Sequence, residues 1–391
     1  MAEIIAKAAS RDAPTALFVG ADVKYMFDFR GALMQAFRER GYRVVVFATP
    51  VPGFDPQAPG RVGAEFIPWR LRKAALNPFR DMHALWALWR VLREHRPRVI
   101  FAHTIKPVIY AMLSARLAGV PRRAAMIPGL GYAFTQGRGV KRAILGRLAR
   151  MGYAAAFRAS DVVLLQNPDD RDELVDGRML SPGTAVAVVS GSGIDMDRFA
   201  LAPLPEGPTV FLMVARLIRD KGVLDFVAAA RRVRARDPRT RFVLVGAPDA
   251  NPEAVPLADI EAWRAEGIVE LRGQVADPRA EFVACHVFVL PSYYREGVPR
   301  TNLEALSTGR AVITTDAPGC RETVVDGVNG LLVPPRDPQA LADAMLALSG
   351  DRERVRDMGL AGRRICADRF EMAAVTRITF DHIVGRDSRP L

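Results

Sequence analysis

The sequence predicts an α/β protein of two Rossmann-like, doubly wound domains that face a cleft. Alternating strand and helix patterns run through both halves of the chain, and a proline-rich segment separates them. With 391 residues, half of them hydrophobic, the chain also exceeds what one ordinary core holds. Because open parallel sheets bind ligands beyond the carboxyl ends of their strands, functional residues are expected directly after strands.

The first half alternates short apolar runs with helical patterns, which is typical of a mostly parallel sheet covered on both faces. The predicted strands are 16–19, 43–48, 65–67, 99–102, 123–127 and 162–165. A first helix is predicted over 29–40, with Gly41 as its stop.

The linker is predicted at residues 201–208, which hold three prolines and a glycine. It divides the chain into a first domain over 1–203 and a second domain over 204–391. The sequence leaves open whether the last helix returns to the first domain. The strands predicted in the second half are 211–214, 242–245, 269–272, 287–290, 311–314 and 330–333.

The excess positive charge is confined to the first half. Residues 1–200 hold 29 Lys and Arg against 17 Asp and Glu, whereas the rest of the chain holds 26 of each. Such a basic domain favours anionic partners: nucleic acid, acidic lipid headgroups or phosphate-bearing substrates. Nucleic acid is the least favoured of these, because no recognisable reading motif accompanies the charge.

Cysteine spacing and hydropathy indicate a cytoplasmic protein. The three cysteines lie far apart and show no C-x-x-C spacing, which disfavours a disulfide framework and a zinc site. No apolar run has the length and character of a membrane span. Asp195-Met-Asp197 resembles a D-x-D metal motif, but its place before the linker favours turn and cap chemistry. We therefore expect no metal and no cofactor.

Two glutamates follow the predicted strand 287–290, Glu296 in a loop and Glu304 on a helix that begins near Pro299. Gly297 permits close backbone approach to a ligand, and the helix N-terminus offers N–H groups to a phosphate. A carboxylate on such a helix can accept from both ribose hydroxyls, which makes Glu304 a candidate ribose contact and Glu296 a candidate contact to a donor sugar. The same donor site is assigned Gly297, Val298 and Arg300.

Two cations follow the predicted strand 211–214. Arg216 stands at the strand end and Lys221 is expected at the start of the next helix, so that both converge on one point. Fixed cations neutralise the charge that develops on a nucleotide diphosphate leaving group, without a metal ion. The alternative is that both are surface charges at a loop.

Together these motifs resemble the GT-B fold retaining glycosyltransferases, in the large family that contains phosphatidylinositol mannosyltransferases. The matching segments are the E-x7-E of 296–304, the Arg-x4-Lys-Gly of 216–222, SGIDMDRF at 192–199 and DGVNGLLVP at 326–334. The resemblance implies that the second domain binds a nucleotide-sugar, that the anomeric configuration is retained and that no metal is required.

Further segments resemble the subgroup that extends polyprenyl-diphosphate-linked sugars: FAHTIKP at 101–107, PGLGYAF at 128–134 and REGVPR at 295–300. This resemblance implies transfer of a hexose or N-acetylhexosamine, with a UDP-sugar as the first candidate donor. The acceptor would be lipid-diphosphate-linked or a saccharide, in the assembly of cell-surface polysaccharide such as lipopolysaccharide or exopolysaccharide.

The chain departs from the family pattern in its first half. GADVKY at 20–25 replaces a glycine pair that many members carry, and Pro128 stands where many have a histidine. His103 is the remaining histidine near the expected cleft. The sequence leaves open whether His103 or a backbone group contacts the reacting sugar, or whether His103 is structural.

Tryptophans and arginines in the first half suit an anionic membrane surface. Trp69, Trp86 and Trp89 lie among arginines over 69–96, and a second arginine-rich helix is predicted over 137–158. We therefore expect peripheral contact with the inner face of the cytoplasmic membrane, against the alternative of a solvated basic face with tryptophans in the core. Two other functions stay open: a nucleotide-sugar epimerase of the same fold, and a non-catalytic membrane-binding protein.

Overall fold

The computed structural model describes residues 13–71, 78–130, 140–180, 183–249 and 253–385, without the side chains of 78–80, 140–145 and 148. Parts of two predicted features lie outside this description. They are residues 131–134 of the segment at 128–134, and the basic side chains of residues 72, 73, 80, 138, 141 and 142.

The chain divides into two compact units. The first comprises Met1–Ser192 and Ala373–Leu391, and the second comprises Gly193–Met372. The division lies before the proline-rich segment because Ile194 is tied to the second unit: its N–H donates to the Phe370 carbonyl at 2.8 Å, and its carbonyl accepts from the Met372 N–H at 3.1 Å.

The first unit contains seven strands and seven of the described helices. The strands are β1 (Thr15–Gly20), β2 (Arg43–Ala48), β3 (Glu65–Pro68), β4 (Val99–His103), β5 (Arg122–Met126), β6 (Val162–Leu165) and β7 (Ala185–Val188). The helices are α1 (Val23–Glu39), α2 (Ala58–Val62), α3 (Pro78–His95), α4 (Ile105–Leu117), α5 (Val140–Arg158) and α6 (Pro168–Asp176), followed at the end of the chain by α13 (Met372–Val384).

The second unit contains six strands among its described residues. The strands are β8 (Val210–Val214), β9 (Arg241–Val245), β10 (Glu270–Gly273), β11 (Val287–Leu290), β12 (Ala311–Thr315) and β13 (Gly330–Val333). The helices are α7 (Val223–Arg236), α8 (Leu257–Glu266), α9 (Arg279–Val283), α10 (Arg300–Ser307), α11 (Pro338–Leu348) and α12 (Arg352–Phe370), with 3-10 turns at Arg219–Lys221 and Arg321–Thr323.

Both sheets are parallel and reverse their strand order at one place. The order is β3-β2-β1-β4-β5-β6-β7 in the first unit and β10-β9-β8-β11-β12-β13 in the second. Apolar side chains fill both faces of the first sheet and the interior of the second unit. This confirms the predicted α/β class with two doubly wound domains. The order reverses between β1 and β4 and between β8 and β11, where open sheets bind ligands.

The last helix, α13, packs within the first unit. Arg122 at the start of β5 donates from Nε to the Ile383 carbonyl at 2.5 Å and from Nη2 to the His382 carbonyl at 2.9 Å. The Phe380 ring lies edge-on to Phe37 of α1, with 4.6 Å between ring centroids. These contacts account for the return of the chain end to the first unit.

The first helix begins earlier than predicted. Asp22 caps it at the N-terminus, because its side chain accepts from the Tyr25 N–H at 3.0 Å, and α1 therefore starts at Val23 rather than at residue 29. The short strand β7 was not among the predicted strands; it pairs with β6.

Candidate active site

The site of the second unit is built where β8 and β11 lie side by side. The connection after β8 carries Arg216 and Lys221, and the connection after β11 carries Glu296 and leads into α10 with Glu304. Both connections leave the carboxyl ends of neighbouring parallel strands, at the point where the strand order reverses.

The carboxylate of Glu296 is held from two sides. Its Oε1 accepts from Lys221 Nζ at 2.6 Å and from Ser292 Oγ at 2.8 Å. Both ends of the ion pair are mostly shielded from water, with side-chain exposures of 14% for Lys221 and 13% for Glu296. An ion pair in such a setting is screened less than a surface pair, and the shared oxygen fixes the side chain of Glu296.

The same two connections are joined through the backbone of Asp220. Its carbonyl accepts from the N–H groups of Tyr293 and Tyr294, both at 2.9 Å. The 3-10 turn that ends at Lys221 is therefore attached to the loop that carries Glu296. This attachment gives the Lys221–Glu296 pair a defined position.

Two glycines permit the close packing of these loops. Gly222 has a φ of 74°, and a Cβ there would overlap the Pro291 carbonyl. Gly319 has a φ of 79°, and a Cβ there would overlap the Gly297 carbonyl. Both positions combine a left-handed backbone with a close approach, which only glycine allows without displacement.

Glu304 is a buried carboxyl on α10. It accepts from Arg300 Nε at 3.1 Å, one helical turn earlier on the same helix. Burial raises the pKa of Glu304 to about 7, an effect partly offset by the charge and hydrogen bond of Arg300. The carboxyl therefore titrates near neutral pH and can change its ionisation when a ligand binds.

The helix α10 begins without a side-chain cap. Pro299 occupies the N-cap position and makes no capping hydrogen bond. Gly297 and Val298 lie in the turn just before it, so the backbone between Glu296 and α10 faces the N-terminal end of a helix dipole. The phosphate contact at this helix N-terminus stays a prediction.

The predicted convergence of Arg216 and Lys221 differs from the structure in one respect. Lys221 ends a 3-10 turn two residues before α7 rather than starting that helix, and it pairs with Glu296. Arg216 is half-exposed and lies 3.5 Å from Asp249, a different carboxylate. Each cation thus has its own partner in the structure.

Comparisons with known proteins agree with this architecture. Residues 30–191 match the family described as "Glycosyl transferase 4-like domain", and residues 208–351 match "Glycosyl transferases group 1". The chain has the fold of Anabaena HepE in complex with UDP, with a TM-score of 0.74 at 16% identity over 95% of this chain and 99% of that one.

Among curated relatives, the chain is 25% identical over 342 residues to the N,N'-diacetylbacillosaminyl-diphospho-undecaprenol alpha-1,3-N-acetylgalactosaminyltransferase of Campylobacter jejuni, covering 84% of this chain and 87% of the relative. It is 27% identical to the UDP-Gal:alpha-D-GlcNAc-diphosphoundecaprenol alpha-1,3-galactosyltransferase of Escherichia coli, covering 74% and 76%. The chain is a GT-B glycosyltransferase. The predicted family is thereby confirmed.

In this glycosyltransferase, His103 lies in the first unit, as the last residue of β4. The imidazole is buried, and its Nε2 lies 3.2 Å from Nη2 of Arg30 in α1. Burial, assisted by the charge of Arg30, holds the pKa of His103 well below its usual value of 6.5. His103 is therefore a neutral imidazole rather than a cation.

The D-x-D-like segment forms a turn, in agreement with the sequence. Asp195 Oδ1 accepts from the N–H groups of Asp197 at 3.1 Å and of Arg198 at 2.9 Å. Trp69, by contrast, does not belong to a membrane-facing surface. It is 1% exposed and its indole N–H donates to the Ala84 carbonyl at 3.1 Å, so it is part of the core.

Several residues that contact the candidate residues were not predicted. Ser292 holds Glu296, Asp249 pairs with Arg216, and Gly319 supports the loop from a third connection. Arg30 contacts His103, which lies 73 residues later in the chain. Ser292 follows a strand directly, which is a usable signal, whereas the other three act through contacts between distant segments.

Proposed function

We propose that this glycosyltransferase transfers a hexose or N-acetylhexosamine from a nucleotide diphosphate donor, with retention of configuration and without a metal ion, to a polyprenyl-diphosphate-linked saccharide. The observation that carries the proposal is that the half-buried Lys221–Glu296 pair and the buried carboxyl of Glu304 lie on the connections that leave the switch point of the second unit. UDP is the first candidate for the donor nucleotide, because a neighbour with the same fold holds UDP.

The donor is positioned by the E-x7-E segment. In this proposal Glu304 accepts from the two ribose hydroxyls, and the backbone of Gly297 and Val298 with the first turn of α10 receives the diphosphate. Arg300 orients Glu304 through its hydrogen bond. Glu296, fixed by Lys221 and Ser292, contacts the donor sugar.

The leaving group is stabilised by fixed cations. When the bond between C1 of the sugar and the diphosphate oxygen breaks, negative charge develops on the diphosphate, and Lys221 and Arg216 are the cations beside it. Each is already neutralised by a carboxylate in this structure, so the donor diphosphate would share them. Two cations supply the charge compensation that a divalent metal provides elsewhere.

Retention follows in this proposal from a displacement on one face of the sugar. The acceptor hydroxyl forms the new bond to C1 on the face that the diphosphate leaves, and its proton passes to the departing phosphate oxygen. In this proposal Glu296 contacts the donor sugar without attacking it, and Lys221 and Ser292 hold its Oε1 in place. The expected product keeps the configuration of the donor.

The acceptor class is supported by the relatives. Both curated relatives carry a diphosphoundecaprenol-linked saccharide in their names. None of the described helices has both the length and the apolar character to cross a bilayer. We therefore infer that the enzyme reaches a lipid-linked acceptor by peripheral contact with an anionic membrane.

A surface of the first unit fits that contact. Helices α3, α4 and α5 pack side by side over one face of the sheet. They expose large apolar side chains among exposed arginines. The apolar side chains are Met82, Trp86, Leu113, Leu117 and Met151, and the arginines are Arg90, Arg93, Arg116, Arg147, Arg150 and Arg158. Apolar insertion combined with basic charge is the chemistry of binding to acidic lipid.

The experiment is a transfer assay with single donors. Purified enzyme is incubated with UDP-glucose, UDP-galactose or their N-acetylated counterparts and a polyprenyl-diphosphate-linked N-acetylhexosamine, and products are analysed by mass spectrometry and NMR. We expect the acceptor to gain one sugar per UDP released, with retained configuration. Donor that is isomerised without acceptor would instead indicate an epimerase, and inverted product would contradict retention.

A further inference from the structure

Arg30 of α1 is a deeply buried cation whose hydrogen-bond partner among the described residues is a neutral imidazole. It is 3% exposed, its Nη2 donates to His103 Nε2 at 3.2 Å, and its Nε is buried without a hydrogen-bond partner in the part of the chain that the structure describes. Because a guanidinium only donates, His103 Nε2 must be the acceptor, and the neutral imidazole therefore carries its proton on Nδ1. Burial lowers the pKa of Arg30 to about 10, partly offset by the nearby Tyr25 phenol.

Other buried cations of the same chain show how such a charge is normally satisfied. Arg310, which is fully buried in the second unit, donates to four backbone carbonyls, those of Phe282, Ala202, Pro203 and Val283. Lys106 in α4, which is only half-buried, pairs with Asp81 at 3.3 Å. Within the described residues, Arg30 has neither a carboxylate nor a set of carbonyls. A buried charge without such compensation is costly, which points to a partner that arrives from outside.

The residue after His103 carries a second sign of a ligand. Thr104 is the N-cap of α4 with a φ of 74°, a strained conformation for a β-branched residue. Its side chain makes no capping bond, and its Oγ1 is buried with no hydrogen-bond partner among the residues that the structure describes. A strained N-cap hydroxyl and the first N–H groups of a 13-residue helix thus follow directly after His103, the residue that lies 3.2 Å from the guanidinium.

His103 and Thr104 lie where an open parallel sheet usually binds its ligand. His103 pairs with Gly20 at the carboxyl ends of β4 and β1, and the strand order of the first unit reverses between those two strands. The second unit places Lys221 and Glu296 at the equivalent switch point between β8 and β11. The two units therefore carry charged groups at matching places in their sheets.

We propose that Arg30, His103 and Thr104 form an anion-binding site of the first unit, which takes a phosphoryl group of the acceptor. The Thr104 hydroxyl and the N-terminal turn of α4 contact the anion. The buried charge of Arg30 attracts the anion without touching it, because the charge acts through a region of low dielectric. The assignment of the anion to a lipid-linked acceptor rests on the proposed function; the presence of an anion site does not.

The test is calorimetric titration of the full chain with farnesyl diphosphate and with inorganic pyrophosphate, at saturating UDP so that the donor site is occupied. We expect wild type to bind farnesyl diphosphate, Arg30→Met to weaken this binding at least about tenfold, and Arg30→Lys to restore part of it. The affinity for UDP, measured separately, should stay the same in Arg30→Met.

Thermal unfolding separates binding from a structural role. Arg30→Met removes an uncompensated charge and should leave the Tm unchanged or raise it, whereas the matched variant Arg310→Met leaves four carbonyls without their donor and should lower the Tm by several degrees. A fall in Tm for Arg30→Met as large as that for Arg310→Met would show that Arg30 is structural and overturn the proposal.

The remaining outcomes of the titrations also test the proposed anion site. If Arg30→Met binds farnesyl diphosphate as tightly as wild type does, or if wild type binds neither probe, the anion site is wrong. Arg30-dependent binding of pyrophosphate as tight as that of farnesyl diphosphate supports the site but overturns its assignment to a lipid-linked group. If UDP does not bind, the proposed function fails, and the same titrations without UDP still test the site.

Discussion

Among single residues, Lys221 is the cation whose surroundings are best defined. It is largely buried, lies 2.6 Å from Glu296 and precedes α7 by a 3-10 turn that is anchored to the opposite loop. We expect Lys221→Ala to lower kcat about 10²- to 10³-fold, because a fixed charge beside the departing diphosphate is lost. Steady-state turnover of the UDP-sugar measures this.

The control for that variant is Arg239→Ala, which removes a cation that is 87% exposed at the end of α7. Its turnover should equal that of wild type, since exposed ion pairs contribute little. Near-normal turnover of Lys221→Ala would contradict the assignment of Lys221 to the leaving group.

The carboxyl of Glu304 makes donor binding depend on pH. Its pKa is raised to about 7 in the free protein, and only the ionised form can accept from both ribose hydroxyls. Lowering the pH from 8 to 6 protonates the group before UDP binds, so the affinity for UDP should fall about tenfold. Titration calorimetry in buffers of different ionisation enthalpy should also detect proton release on binding near pH 7.

Glu304→Gln provides the matched control, because it keeps the shape of the side chain but does not titrate. Its UDP affinity should be lower than that of wild type and nearly constant between pH 6 and 8. An unchanged pH dependence in Glu304→Gln would assign the titration to another group.

The positions of the candidate residues in the fold were predictable from the sequence where chemistry and chain order coincide. Glu296, Glu304 and Lys221 follow strands and stand in a recognisable spacing, and the structure places them on the connections from which they were inferred. Arg30 gave no such signal, because a single arginine in an amphipathic helix looks like any surface charge until its partner 73 residues away is known.

Among the elements, the loop between β11 and α10 depends on a glycine from another connection. Gly319→Ala adds a Cβ that would overlap the Gly297 carbonyl, and it should displace the turn before α10 and weaken UDP binding at least about tenfold. The measurement is UDP titration together with the Tm of the variant.

The chain offers Gly350 as a matched control, because it has the same φ of 79° but nothing within 4 Å of the added Cβ. Gly350→Ala should cost on the order of 1 kcal/mol in stability from its left-handed backbone, and UDP binding should stay normal. Equal UDP affinities in the two variants would show that the Gly319 contact does not shape the donor site.

The elements themselves were largely predictable, because buried parallel strands read as continuous apolar runs. β2, β6, β11 and β13 coincide with their predicted bounds. Errors arose where a polar side chain sets the boundary, as when Asp22 starts α1 at Val23. Lys221 was expected on a helix but lies in a 3-10 turn, since Gly222 has a positive φ that interrupts the helix.

For the whole molecule, the proline-rich segment was a good indicator of two units but not of where they divide. Backbone hydrogen bonds between Ile194 and the segment after α12 tie residues before the prolines to the second unit. Such pairing between segments far apart in the chain has no local sequence pattern.

Membrane contact is a property of the exposed face of α3, α4 and α5. Replacing Trp86 and Leu117, which are 57% and 80% exposed, with Ser should reduce co-sedimentation with vesicles of phosphatidylglycerol several-fold. Binding of wild type should weaken as salt rises, because the exposed arginines contribute through charge.

Leu257→Ser is the control for that pair, because Leu257 is 63% exposed but lies on α8 of the second unit. It should bind vesicles as wild type does. If Leu257→Ser loses as much vesicle binding as the variant with Ser at Trp86 and Leu117, the effect would reflect surface hydrophobicity in general rather than a docking face.

The central claim is a donor nucleotide site in the second unit that works without metal. Calorimetric titration of UDP in the presence of EDTA, for wild type and Glu304→Ala, tests it most directly. We predict binding in the micromolar range for wild type and a loss of at least about 1.4 kcal/mol, a tenfold weaker Kd, for the variant. Binding that appears only after Mg²⁺ or Mn²⁺ is added, or that Glu304→Ala leaves intact, would contradict the account.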